Sequence, residues 1–202
     1  MTEKESISKT LEYYNKNAGS FAEGTQDVDF TMMQDSFLEY IPKGGYILDF
    51  GCGSGRDARY FKDKGFRVDA VDGSEEMVKV AAAHSGLPVR LMLFQDLDAE
   101  EEYDGIWACS SILHLDRTEL AEVMQKIRAA LRPGGILYTS FKYGDFSGER
   151  NGRFFTDMTE ESFGRLLEDT GGFDIIRLWI TSDVRPGRDS EKWLNVLLRK
   201  TE

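Results

Sequence analysis

Cysteine, histidine and proline are scarce in this chain, and the first two shortages each close off a class of function. Among 202 residues there are 2 cysteines, Cys52 and Cys109, and 2 histidines, His84 and His114. Two cysteines cannot build the bridge framework of a small secreted domain, and each ends a strand-like run, where a thiol packs as a small apolar group. The histidines stand apart from any other Cys or His cluster, so no metal centre of familiar ligand spacing is expected. No stretch reaches the ~18 consecutive apolar residues of a membrane span, and the opening MTEKESISKT has neither the basic segment nor the apolar run of a secretory leader. A cytoplasmic protein with no membrane partner is expected. Positive charge is also short: 25 Lys and Arg against 36 Asp and Glu leave a net −11. That field repels a polyanion unless the bases cluster on one face, so no nucleic-acid partner is expected.

What is present is a globular composition, 41% apolar, with 20 glycines dispersed between periodic segments. Length and the lack of any linker-like tract point to one domain, 1–202. Within it, 1–44 holds two helical segments, near 6–16 and 31–40, expected to cap a site formed by 45–202. From residue 46 onward strand-like and helix-like runs alternate, the pattern of a parallel sheet with helices on both faces. Strands are expected at YILDF (46–50), RVDAVD (67–72), VRLMLF (89–94), YDGIWACSS (103–111), GILYTSF (135–141), FDIIRLWIT (173–181) and KWLNVLLRK (192–200). Helices are expected at 54–64, ending at Gly65, then after Ser74, over the face Leu120, Val123, Met124, Ile127 and Leu131, and at 159–169. The last two strands are joined without a helix, so they run antiparallel. The expected fold is therefore α/β: a Rossmann-like, doubly wound, seven-stranded mixed sheet with an antiparallel last strand. The polar, glycine-rich segment GDFSGERNGR (144–153) reads as a loop able to act as a flap.

The run YILDFGCGSGRDARYF (46–61) places three glycines between a strand and a helix. Gly51, Gly53 and Gly55 have no Cβ, so a ligand can approach the main chain and the free N–H groups of the next helix. A tight strand-to-helix turn is the plainer reading of the same residues. Asp72 ends the second strand, where a carboxylate can accept from both hydroxyls of a ribose; capping the helix after Ser74 is its alternative role. Asp96, just past the third strand, is placed to accept from an adenine amino group while Leu97 packs on the ring. A dinucleotide fold of the NAD type requires G-x-G-x-x-G, yet position 56 is Arg, and no phosphate-gripping G-x-x-x-x-G-K occurs. Asp49 would oppose a pyrophosphate and suit an ammonium.

LDFGCGSGRD, the strand-end Asp72, FQDL, ACSSILHL and LRPGGILYTSF resemble the successive motifs of class I S-adenosylmethionine-dependent methyltransferases, especially a small bacterial branch of generic and tellurite-resistance-like enzymes. The resemblance is close over 45–142. It implies S-adenosyl-L-methionine as cofactor and an unidentified small molecule as methyl acceptor. It further implies that Asp49, Gly51, Cys52 and Gly53 wrap the methionine part, that Asp72 holds the ribose, and that Gly73, Ser74 and Met77 flank it. Asp96 and Leu97 would line adenine, Cys109 and Ser110 would close the pocket, and Tyr14 would bring a ring over the cofactor. His114, directly after the fourth strand and with an ordinary pKa of about 6.5, is the candidate general base. Arg185 and Arg188 would suit an anionic acceptor, while Trp179 and Trp193 read as core. A binder of the same cofactor without catalysis and an NAD-dependent oxidoreductase are the alternatives.

Overall fold

A computed structural model describes residues 3–201. A kinked helix α1 (Glu3–Glu23) and a short α2 (Thr31–Leu38) precede β1 (Tyr46–Phe50), α3 (Arg56–Asp63), β2 (Arg67–Asp72), α4 (Glu75–Ser85) and β3 (Val89–Leu91). Then come β4 (Tyr103–Ala108), α5 (Arg117–Ala130), β5 (Leu131–Lys142), β6 (Ser147–Arg150), β7 (Arg153–Thr156), α6 (Glu160–Thr170), β8 (Phe173–Ser182) and β9 (Lys192–Lys200). The seven-stranded sheet has the order β3-β2-β1-β4-β5-β9-β8. β1 pairs in parallel with both β2 and β4, and β9 runs antiparallel between β5 and β8.

The strands are buried on both faces because successive residues supply opposite layers. Leu48, Ile106 and Leu198 pack with Leu120, Val123 and Met124 of α5 and Phe163 of α6. Ile47, Trp107 and Leu197 pack on the other side with Phe37 of α2 and Phe61 of α3. There Trp107 stacks on Tyr138 at a ring separation of 3.9 Å. Helix starts follow local chemistry. The Ser74 side chain accepts from the Met77 N–H, and Asp116 with Glu119 closes a capping box on α5.

Three expectations are corrected. The third strand stops at Leu91 rather than Phe94, and Phe94–Asp96 form a 3-10 turn. β3 is an edge strand that pairs only with β2, and β2 ends at Asp72 opposite Leu91. Beyond that point the chain has no ladder to extend. The fourth strand likewise ends at Ala108. The segment 144–153 is not an open loop: most of it belongs to the hairpin β6–β7, whose turn at Asn151 and Gly152 has positive φ at both residues.

The chain order reverses between β1 and β4, so the crossovers leaving these two neighbours diverge and open a crevice at their carboxyl ends. Gly55 seals the base of that arrangement. Its φ is +78°, and a Cβ there would lie 2.8 Å from the Ala81 carbonyl oxygen of α4. Gly55→Ala is expected to lower unfolding free energy by about 2–4 kcal/mol, from left-handed strain plus overpacking, seen as a lower urea midpoint at unchanged slope.

Candidate functional site

A cavity of about 230 Å³ lies at this crevice, roofed by α1, the α1–α2 connection and the β6–β7 hairpin. Its floor is the glycine loop. Gly51 has φ +84°, and a Cβ there would meet the Ser111 Cβ at 2.5 Å and the Phe94 ring at 3.1 Å. Gly53 lines the cavity and donates its N–H to Asp72 Oδ2 at 2.9 Å. The Ser74 N–H reaches Asp72 Oδ1, also at 2.9 Å. Burial lifts the Asp72 pKa to about 6, against the pull of backbone N–H groups at Ser74, Gly53 and Gly73. One carboxylate thus fastens the glycine loop to the start of α4 and still faces the cavity.

Of the residues singled out from the sequence, Tyr14, Gly51, Cys52, Gly53, Asp72, Gly73, Cys109, Ser110 and His114 line this cavity. Asp49, Ser74, Met77, Asp96 and Leu97 do not. Ser74 and Met77 are buried at the α4 N-terminus, and Asp49 is buried at the end of β1. Its Oδ2 has no partner, and burial followed by the charge of Asp57 drives its pKa well up. Asp96 is exposed on the outer side of the 3-10 turn, and Leu97 belongs to the core. The wall expected from Asp96 and Leu97 is supplied instead by Met92, Leu93, Phe94 and Gln95. Burial raises both thiols, Cys109 to about 12, so neither is a thiolate nucleophile near neutrality. Ser110 has φ +52°, held by a hydrogen bond from its N–H to Ser140 Oγ at 2.9 Å. It is strained backbone at the cavity wall.

His114 differs most from expectation. Its Nδ1 lies 2.6 Å from the Phe154 carbonyl oxygen and its Nε2 lies 2.8 Å from the Tyr14 hydroxyl. A carbonyl can only accept, so Nδ1 carries the proton, and the Tyr14 O–H donates to Nε2. Burial brings the His114 pKa down to about 4, and the positive charge of Arg153 adds to the effect. The ring is a neutral acceptor whose lone pair is already used, rather than a free base poised near 6.5. Trp193 is partly buried against the core as expected, and it also lines the cavity and donates to Asp183 Oδ2 at 3.0 Å.

The sequence reading missed Phe21, Thr25, Val28 and Phe30 before β1 and Arg153 and Phe155 on the hairpin, all of which line the cavity. Arg56 was seen only as a departure from a dinucleotide motif. It grips the buried Asp57 through Nε (2.7 Å) and Nη2 (2.9 Å) and lies 4.4 Å from the Phe30 ring. Trp107 and Gln34 complete the partners of Asp57 at 2.8 and 2.7 Å. No cluster of three His, Cys, Asp or Glu side chains able to hold a metal ion occurs among the described residues.

A sheet of this order, with its antiparallel strand and a glycine-floored cavity at the β1–β4 switch point, defines an α/β nucleoside-binding architecture. Residues 47–135 match the model of the methyltransferase domain family, the same stretch that carries the motifs resembling class I S-adenosylmethionine-dependent methyltransferases. YqeM of Bacillus subtilis (strain 168) is 32% identical over 133 residues, covering 60% of this chain and 52% of that protein. A ubiquinone biosynthesis O-methyltransferase of Xanthomonas axonopodis pv. citri (strain 306) is 32% identical over 115 residues, covering 51% and 47%. The chain thus spans about half the length of the curated relatives it matches. The solved 1,6-didemethyltoxoflavin-N1-methyltransferase of Burkholderia thailandensis, with 1,6-didemethyltoxoflavin and S-adenosylhomocysteine bound, superposes with a TM-score of 0.81 at 23% identity, covering 100% of this chain and 92% of that one. The [4+2]-cyclase SpnF shares the fold with a TM-score of 0.71 at 18% identity, covering 94% of each chain.

The His114 assignment has a direct readout. Because its folded pKa lies below the unfolded value of about 6.5, the unfolded chain takes up the proton first, and the stability this ring contributes is lost as pH falls from 6.5 toward 4. Asp72, raised to about 6, acts with the opposite sign between its unfolded value and 6, so a whole-protein stability curve mixes the two. Ring-nitrogen NMR separates them: His114 is expected to stay in the neutral Nδ1–H form from pH 8 to pH 5. Tyr14→Phe is expected to perturb its Nε2 signal and to cost about 1–3 kcal/mol by leaving a buried acceptor unpaired.

Proposed function

We propose that the protein transfers a methyl group from S-adenosylmethionine to a small-molecule acceptor. The observation that carries this reading is the half-buried Asp72 carboxylate beside bare glycine main chain, on the wall of a cavity large enough for an organic ligand. Each Asp72 oxygen receives one backbone N–H, and a carboxylate oxygen has a further lone pair for a ribose hydroxyl. The apolar wall of Met92, Leu93 and Phe94 suits a flat base. Asp49 lies buried under the same loop, outside the cavity lining, with one oxygen unpartnered. The residues therefore fit a nucleoside that bears positive charge. They fit a pyrophosphate badly, since Asp72 would oppose it and the neighbouring Arg56 is already committed to Asp57.

When bound, the donor supplies an electrophilic methyl on a sulfonium that is already a good leaving group. The protein's part is to hold donor and acceptor in line and to keep water out. Tyr14 is the polar group aimed into the cavity beside His114. We assign the histidine a positioning role: Phe154 fixes its tautomer, and it fixes the phenol.

Titration calorimetry with S-adenosylmethionine, S-adenosylhomocysteine and NAD tests the reading, followed by a labelled-methyl screen over metabolite pools. One-to-one binding of the first two, with none of NAD, is expected. Uptake of NAD alone would overturn it, and binding without labelled product across the screen would favour a non-catalytic binder. Asp72→Ala is expected to weaken S-adenosylhomocysteine by about 1.5–3 kcal/mol for each charged hydrogen bond lost.

The same carboxylate sets a pH dependence. Its ionised form accepts the ribose hydroxyls, and its pKa in the free protein is about 6. Affinity is therefore expected to be level above pH 7 and to fall roughly tenfold between pH 7 and pH 5 as the carboxylate takes up its proton. In Asp72→Asn this step disappears.

A further inference from the structure

We infer that the methyl acceptor is a carboxylate carried on an apolar or aromatic body, and that Arg153 is the residue that recognises it; the inference rests on the methyltransferase reading above. Five cations line the cavity among the described residues, and four of them are ion-paired in place, two of these sharing one carboxylate. Arg56 is bound to Asp57, Arg185 to Asp183, and Lys142 and Arg188 both reach Glu191. Of the arginines that the sequence suggested for an anion, Arg185 is held bidentately by Asp183 and Arg188 shares Glu191 with Lys142. Arg153 forms no ion pair among the described residues.

Among the described residues one of its five N–H donors is used, from Nη1 to the Tyr14 oxygen at 3.3 Å, while its Nε is buried with no partner. The guanidinium carbon lies 4.3 Å from the Tyr13 ring centre, 5.1 Å from that of Phe155 and 5.6 Å from that of Tyr14. Aromatic faces hold the cation in place but offer it no hydrogen-bond acceptor. A guanidinium held among rings with unused donors is set for a planar, bidentate partner, and a carboxylate has that shape. Its bond to Tyr14 puts this fork next to the Tyr14–His114 pair. Leu113, Phe155, Val184 and Trp193 supply apolar wall to the same cavity, so the anion arrives on a hydrophobic body. The unpaired donor is also a device for specificity, because a neutral isostere leaves it unsatisfied.

The test uses the full chain saturated with S-adenosylhomocysteine and titrated calorimetrically with benzoate and with its neutral isostere benzamide. Wild type is expected to bind benzoate at least tenfold more tightly than benzamide. Arg153→Gln is expected to bring benzoate down to the level of benzamide while leaving S-adenosylhomocysteine and benzamide within twofold. Arg153→Lys, which keeps the charge without the fork, is expected to lie between them and guards against misfolding of the glutamine variant. Equal binding of benzoate and benzamide by wild type overturns the inference. So does a loss of S-adenosylhomocysteine affinity in Arg153→Gln with benzoate unchanged, which would assign the arginine to the donor's own carboxylate. If wild type does not bind S-adenosylhomocysteine at all, the methyltransferase reading fails, and the benzoate–benzamide comparison on the free chain still decides the role of Arg153.

Discussion

The architecture of the site depends on the carboxylate of Asp72. It stands at the end of β2 and takes the N–H of Gly53 from one side and of Ser74 from the other, so a single side chain ties the β1–α3 loop to the start of α4. Those donors would otherwise be orphaned helix-terminal and loop N–H groups. Holding a carboxylate in a half-buried position lifts its pKa, and the backbone bonds offset part of that cost. The arrangement keeps an acceptor of adjustable charge beside main chain that carries no Cβ, which is the combination a ribose requires.

The roof is built separately and is joined to the floor by polar contacts. α1 crosses the cavity and sends Tyr14 to His114; the imidazole passes the connection to the Phe154 carbonyl on β7, and the Phe154 N–H returns to Thr10 of α1 at 3.1 Å. Three elements far apart in sequence thus close on each other around one neutral histidine. Burial enforces neutrality, because a charged imidazolium there would lack both water and a carboxylate. A residue of a type usually read as an acid–base catalyst is here a joint that fixes the orientation of Tyr14.

Charge around the cavity follows a consistent rule. Acids and bases on the wall are paired, as in Arg56 with Asp57 and Arg185 with Asp183, and burial otherwise pushes a group toward its neutral form, as for Asp49 and Cys109. Asp72 and Arg153 stand between these outcomes: burial raises Asp72 only to about 6, which leaves it ionised at neutral pH, and Arg153 has no ion-pair partner among the described residues. An unpaired acid and an unpaired base on one wall are the features that give this cavity polarity and distinguish it from a general apolar crevice.

Local chemistry in the sequence determined the strands, the helix caps, the antiparallel ending and the glycine floor, because each is written in neighbouring residues: alternation in YILDF, serine before two acids at 74–76, and two strands joined without room for a crossover. Asp72 was legible for the same reason, being a strand-end acid at a fixed offset from the glycines. Tertiary structure decided the rest. β3 ends at Leu91 because its partner strand ends there, which leaves Met92, Leu93 and Phe94 rather than Asp96 and Leu97 on the cavity wall. The segment 144–153 looks like loop by composition yet largely pairs as a hairpin, and only that pairing brings Arg153 to Tyr14. The tautomer of His114, its low pKa and the lone charge of Arg153 depend on partners 40 to 139 positions away in the chain. No local pattern encodes such contacts, since burial and charge pairing belong to the packed chain as a whole.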